Sequence, residues 1–484
     1  MARSDQPVET APPPAPAWRL WRPRRTDLVP LALVLVIVAA SAALVMRKDP
    51  RFGPIDEFQH FNYITAVVYH HRIPVPGDTF TQQAMRAHAC HAARSATGPA
   101  CHSLSFNPSD FENGGHSTAG GYPPAYYLPT AAVAWVVYKL SGSSDLFLPA
   151  RMASLLWLLM GAALTYLLAR SFAAGRWVAV GIAALAALSP MMLYQGSTVN
   201  PDSMSLLAGA GAGIAWLSLR AARRWRAVVA LCAVLAFVAL IKPNFLAVPI
   251  AVALAEVALA ARHGLRSLST RSTWSVHGPT SRVCLAAGGA VLLGVAWPVY
   301  FRHTGKLLAP GSVALGGAPW STDAALRGIA RSLGPLVDLP KISGFEHGIF
   351  SLLTMLINVL VVSGAVAAGL LSRRRLLPED LVSSGRAAPV DPLHAVGYLA
   401  GVSLLVAAPV TYAIVAASGA FITYPPRYSM FVVPLGLVAL VALSASPQAV
   451  ARYQDARDAN RPPGPDSTGA QVDASPDAPP VSAS

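Results

Sequence analysis

Apolar runs of about 17 to 25 residues recur along this chain, each long enough to cross roughly 30 Å of hydrocarbon as a helix. Shorter helices buried in a soluble core would not repeat in this way. Within lipid every backbone N–H and C=O must be satisfied inside the segment or by a closed barrel, and these runs lack the two-residue alternation of barrel strands. Helices remain. Composition agrees: 54% of the residues are hydrophobic and 12% charged, and the mean hydropathy is +0.47, so most of the apolar surface cannot face water.

The runs fall near 28–46, 146–169, 177–193, 203–219, 226–241, 244–261, 282–301, 348–371, 393–417 and 427–445. The expected fold is therefore an all-α, polytopic integral membrane protein with about ten crossings, or eleven if 123–139 also crosses. Residues 1–27 form a Pro-rich polar tail that ends in Arg19, Arg22, Arg24 and Arg25, which places the N-terminus in the cytoplasm. The first run is longer than a signal-peptide core and no small-residue cleavage site follows it, so it reads as a retained anchor.

Segment 123–139 is apolar but short, and it carries three prolines. If it stays out of the bilayer, the later arginine clusters all fall inside: Arg170 and Arg176, Arg220 to Arg226, Arg262 to Arg282, Arg373 to Arg375, and the tail. The segment then lies along the outer interface with its Tyr and Trp rings at headgroup depth. Large outer loops at 47–145 and 302–347 follow, and 446–484, rich in Pro, Asp and Ser, reads as a disordered cytoplasmic tail. The formal charge of +14 is accounted for by loop arginines beside apolar runs, an orientation signal that argues against nucleic acid. Abundant Ala and Arg suggest a GC-rich, actinobacteria-like bacterial source, and the plasma membrane as location.

Polar residues of chemical interest collect on the outer face. Phe52-Gly-Pro-Ile-Asp56-Glu57-Phe-Gln-His60 places two acids three and four residues before a histidine, on one helix face. Such a group can accept a proton from a hydroxyl or, through Glu57 and His60, help to hold a divalent cation; helix-start acids complementing the dipole are the plainer alternative. Asn200-Pro-Asp202-Ser is either a helix cap or part of a site. Lys242, in a tight Ile-Lys-Pro-Asn connection, either snorkels or holds a phosphate. Arg151 and Arg427-Tyr428 stand at outer helix starts, against the orientation trend, suited to a phosphate or to an ion pair with Asp202 or Glu57. Glu256, near the cytoplasmic end of its run, is expected to snorkel. Cys90 and Cys101 share the first outer loop, where a disulfide is the leading expectation and a metal pair with His91 and His102 the alternative. No Walker loop, dinucleotide fingerprint, HExxH or GxSxG context appears, which weighs against ATP-driven transport and the common hydrolases.

Taken in order, Pro54-Ile-Asp56-Glu57-Phe-Gln-His60, Tyr122-Pro-Pro-Ala-Tyr126-Tyr127, Asn200-Pro-Asp202, Lys242-Pro243 and Arg427-Tyr428 resemble the GT-C superfamily of polyprenyl-phosphate-sugar-dependent glycosyltransferases, and most closely its DUF2142-like bacterial branch. The resemblance covers about residues 28–445 and implies a GT-C-like transmembrane domain with a juxtamembrane helix in the first outer loop. It further implies an acid in that loop acting as base on the acceptor, with basic residues holding the lipid phosphate. Asp56 is the first choice as base, Glu57 its substitute or a metal ligand, and Lys242, Arg427 and Arg151 the phosphate grips; Tyr126, Asn200, Asp202 and Tyr428 complete the expected substrate-binding set.

The expected function is inverting transfer of a sugar from a polyprenyl-phosphate donor, within membrane lipid, to an extracytoplasmic glycan, lipid or protein acceptor. The rivals are a transporter or flippase of lipid-linked glycans, which predicts midplane charges and internal repeats, and a non-catalytic membrane protein of envelope assembly.

Overall fold

The computed structural model describes residues 25–54, 56–75, 77–91, 99–172, 174–222, 225–267, 279–304, 356, 359–361, 363–364, 392–418 and 430–442. Expectations for Arg427, Tyr428, most of the 302–347 loop and the two tails lie outside the described residues.

Among the described residues the chain is helical, with one isolated bridge between Thr79 and His116 and no strand. α1 runs over Arg25–Lys48 and shows how the bundle separates core from surroundings. Val34, Val38, Ala42 and Met46, four residues apart, are buried along one stripe, while Val29, Val36 and Leu44 are exposed. An apolar exposed face suits a lipid solvent.

The long segment before the second apolar run folds into α2 (Glu57–His70), α3 (Gln82–His91), short 3₁₀ turns at Pro108–Asp110 and Glu112–Gly115, and α4 (Tyr127–Ser141). Cys90 and Cys101 are disulfide-bonded. The rings of Phe52, Phe58, Phe61, Phe80, Phe111 and Phe147 pack with His88 and His91 into one aromatic cluster. The 15 residues of α4 reach only about 22 Å at 1.5 Å per residue, short of the hydrocarbon thickness. It buries Tyr127, Thr130, Ala131 and Ala134 against α2 and α5 and exposes Leu128, Trp135, Val136 and Leu140.

α5 (Phe147–Ser171) packs against α1, α2, α4, α6, α7 and α8. The expected run at 177–193 is not one straight helix: α6 (Arg176–Ala187) and α7 (Pro190–Ser197) meet at a 68° bend. Pro190 starts α7, where its missing N–H removes no helical bond. α8 (Ser205–Ala222), α9 (Trp225–Ala239), α10 (Ala247–Ser267), α11 (Pro279–Thr304), α12 (Pro392–Ser418) and α13 (Val432–Ala442) follow. Small residues let backbones approach: a Cβ added at Gly161 of α5 would lie 2.8 Å from the Leu207 amide nitrogen, and one at Gly209 of α8 1.9 Å from the Phe431 carbonyl oxygen.

By length and apolar composition, four described helices can cross a membrane, or five if the bent α6–α7 pair is one span. The described residues thus carry fewer qualifying spans than the ten or so expected, because several expected runs fold as shorter or broken helices and others lie outside the described range.

Candidate functional site

The site begins at the first turn of α2. Asp56 occupies its N-cap in the left-handed region, at φ 54° and ψ 9°, a conformation that costs a side-chain-bearing residue roughly 1–2 kcal/mol. The His60 amide donates to the Asp56 carbonyl at 3.1 Å and closes the turn. The adjacent carboxylate holds it in place. Glu57 Oε1 accepts from Arg151 Nε and from the Val199 amide, both at 2.8 Å. Its Oε2 accepts from Arg151 Nη2 at 2.7 Å and from the Gly53 amide at 2.6 Å. Arg151 also donates to the Asp49 and Arg51 carbonyls, and its guanidinium lies 4.4 Å from the Phe147 ring centre. Glu57 is 0% and Arg151 3% exposed, whereas Asp56, one residue away, is exposed.

This arrangement separates the roles of the expected residues. Glu57 has four donors on its two oxygens, and Arg151 is committed to Glu57 and two carbonyls, so the first does not fit a metal ligand or spare base and the second does not fit a phosphate grip. Of the alternatives open in the sequence, Arg151 takes the ion pair with Glu57. Among the described residues no three His, Cys, Asp or Glu side chains group as a cation site. The donor set expected for a divalent cation is therefore not assembled around Glu57 and His60.

His60 is buried, and its Nδ1 hydrogen-bonds the Tyr127 hydroxyl at 2.8 Å. Burial pushes the Tyr127 phenol well above its usual value, and Tyr122, Tyr63, Tyr126 and Asp202 act in the same direction, so the phenol stays protonated. Tyr63 stacks on Tyr127 with ring centres 3.7 Å apart. The Tyr126 hydroxyl pairs with Ser154 Oγ at 2.7 Å. α4 thus docks through two buried tyrosines whose polar tips each meet a partner.

The Asn200 side chain accepts from the Asp202 amide at 3.0 Å and caps the 3₁₀ turn Pro201–Met204, the turn chemistry its Asn-Pro-Asp order suggests. Lys242 starts the corresponding turn Pro243–Leu246. Its Nζ lies 3.2 Å from Asp202 Oδ2, with the residues 4% and 0% exposed. An ammonium this deep is ion-paired and does not snorkel.

Sequence reasoning missed Glu112. Gln59 Nε2 donates to Glu112 Oε1 at 2.6 Å, and Gln59 Oε1 accepts the Thr118 amide at 2.8 Å. Glu112 sits in a Phe-Glu-Asn-Gly-Gly turn that carries no motif, and only the tertiary contact reveals it. The pair of His91 with Asp145 was likewise not foreseen; it links α3 to the start of α5, with Nε2 2.7 Å from Oδ2. Glu256 corrects an expectation: it is 1% exposed and does not snorkel, taking bonds from Arg220, from Trp216 Nε1 at 2.9 Å and from Thr280 Oγ1 at 3.0 Å.

A family model described as "Predicted membrane protein (DUF2142)" matches residues 31–319. No curated protein matches.

Proposed function

The chain belongs to the DUF2142 family of membrane proteins, and from that premise we propose that it is an inverting glycosyltransferase. It moves a sugar from a polyprenyl-phosphate donor to an extracytoplasmic glycan, lipid or protein acceptor. The observation that carries this reading is Asp56, an exposed carboxylate in a left-handed turn, set beside a fully buried Glu57–Arg151 pair that braces the turn. Strained, over-determined backbone at an exposed acid is the form that a pre-organised base takes.

In this reading both termini are cytoplasmic, α4 lies along the outer interface and Asp56 faces the extracytoplasmic side. The acceptor hydroxyl gives its proton to Asp56 as its oxygen bonds to the anomeric carbon. The bond from that carbon to the phosphate oxygen breaks on the opposite face, which inverts the centre, and the electron pair leaves with the lipid phosphate. Cations stabilise that leaving group. Lys242 serves this role by exchanging Asp202 for phosphate, and Arg427 is the second cation. Asn200, Asp202 and Tyr126 shape the surrounding site, while Glu57, Arg151 and His60 hold it in place.

The test is the lipid that travels with the protein. Mass spectrometry of lipids retained by detergent-purified wild type should show polyprenyl phosphates enriched over bulk membrane lipid, and less enriched on Lys242→Ala. Retention of bulk lipids alone, in unchanged proportion, contradicts the proposal.

A further inference from the structure

The two turns joined by the Asp202–Lys242 pair are built alike and capped differently. Each enters from an extended residue followed by proline: Asn200 before Pro201–Met204, and Lys242 before Pro243–Leu246. Each runs directly into a long helix, α8 or α10. Asn200 caps its turn with a side-chain oxygen on the Asp202 amide. Lys242 stands in the equivalent place, has no acceptor to offer, and leaves its turn without a side-chain cap. A cation there also opposes the helix, whose N-terminus carries the positive end of the dipole and favours anions.

We propose that the start of α10 is a binding site for a phosphate monoester, held by Lys242, Asn244 and the amides of the uncapped turn, and that the Asp202 carboxylate keeps its place when the site is empty. That the phosphate belongs to a lipid rests on the transferase reading; the anion site does not. Asn244 supplies the observation that a bare helix end lacks. It is 6% exposed, and its Oδ1 is buried with no hydrogen-bond partner. At the second position of the turn its Cα–Cβ bond tilts back toward the helix N-terminus, so the carboxamide is aimed at the same end as the orphan amides. A buried acceptor with no donor is costly. Turned over about its last bond, the same group donates from Nδ2 to an oxyanion.

The ion pair itself is loosely made. Lys242 Nζ lies 3.4 and 3.2 Å from the two Asp202 oxygens, longer than the about 2.7–2.9 Å of a close charge-assisted bond and than the 2.8 and 2.7 Å of Arg151 on Glu57. The partners also differ in need. Asp202 lies in the first turn of its own helix, where an acid is favoured, so it stays satisfied when the lysine lets go. Lys242, 4% exposed, requires a counter-charge. Ser203 Oγ, beside Asp202 in the chain, is a second buried polar atom without a partner. The turn reaches the surface at Pro243, which is partly exposed, next to the segment before α4, where the Ala125 amide donates to the Leu240 carbonyl at 3.0 Å.

The experiment reads binding, without turnover. Thermal unfolding of full-length protein in detergent is followed with inorganic phosphate, with farnesyl phosphate, and with chloride at matched ionic strength. Asp202→Asn deprives Lys242 of its internal partner, so phosphate should raise the Tm of this variant above its value in chloride, and by more than in wild type. Adding Asn244→Ala should demand about ten-fold more phosphate for the same rise, the worth of one hydrogen bond to a charged group. A Tm of Asp202→Asn that phosphate raises no more than chloride, or a phosphate effect equal with and without the Asn244 side chain, overturns the proposal. If Asp202→Asn does not fold, equilibrium dialysis of radiolabelled phosphate against wild type and Asn244→Ala decides: binding about ten-fold weaker in the variant supports the site, and equal or absent binding contradicts it. A stronger response to farnesyl phosphate assigns the site to a lipid headgroup. Binding of inorganic phosphate alone, or phosphate binding without sugar transfer, would overturn the transferase reading and leave the anion site standing.

Discussion

Arg151 and Glu57, 94 residues apart in the chain, form a buried two-point ion pair with Nε–Oε1 2.8 Å and Nη2–Oε2 2.7 Å. It ties the first turn of α5 to the first turn of α2, and through the Val199 amide it also reaches the segment after α7. Two charges removed from water are stable only while they satisfy each other.

Removing one partner should therefore be costly. Glu57→Gln leaves the guanidinium buried without its counter-charge, and a loss of about 3–5 kcal/mol is expected. Thermal unfolding of detergent-solubilised protein should show a large drop in Tm. Arg151→Lys should not restore stability, since a point ammonium cannot reach both carboxylate oxygens and the two carbonyls together.

Gly53 meets the same carboxylate from the other side. A Cβ there would stand 2.3 Å from the Tyr194 hydroxyl oxygen and 3.2 Å from Glu57 Oε2. Gly53→Ala should destabilise by about 1–3 kcal/mol through overpacking. The double variant with Tyr194→Phe, which removes the nearest atom, should recover part of that loss in the same unfolding assay.

The Asp145 carboxylate predicts an acid limit for the folded loop. Burial alone would raise its pKa, but the His91 hydrogen bond, the Phe147 amide and the charge of His91 outweigh burial and hold it below the usual value. A depressed carboxyl contributes stability that is present above its ordinary value of about 3.9 and is lost as pH falls through the folded-state value. Asp145→Asn should remove this part of the pH dependence, so the difference in Tm between wild type and variant should shrink below about pH 4. Melting curves taken from pH 3 to 7 check it.

Lys242 and Asp202 provide a test of function against architecture. If the pair only holds two turns together, Lys242→Met with Asp202→Asn should restore what either single change loses, in both stability and lipid binding. The transferase account expects stability to recover in the double variant while polyprenyl-phosphate affinity stays at least ten-fold weaker, a loss of about 1.4 kcal/mol. Thermal unfolding and a lipid-binding titration separate the two outcomes.

Much of the architecture was legible because lipid imposes a length rule that sequence obeys. The runs at 28–46, 146–169 and 282–301 became α1, α5 and α11 within a few residues. The bend at Ser189 and Pro190 was hidden inside an apolar run, since hydropathy does not register where a helix turns. At the site, spacing identified the acidic turn at Asp56 and the Asn200 cap, both local features. It could not assign Arg151 to Glu57 alone, place Lys242 on Asp202, or find Glu112, because those partners lie 94, 40 and 53 residues away and meet only through packing. Glu256 was misjudged for the same reason: Arg220, 36 residues away, made a buried carboxylate tolerable.

The most direct test is sugar transfer by purified protein in lipid nanodiscs, supplied with labelled polyprenyl-phosphate sugars and an envelope extract as acceptor, for wild type and Asp56→Asn. The account predicts labelled product from wild type and a loss of at least about 100-fold in Asp56→Asn, the contribution of a general base, with expression and lipid binding intact. Equal transfer by the two proteins would contradict it.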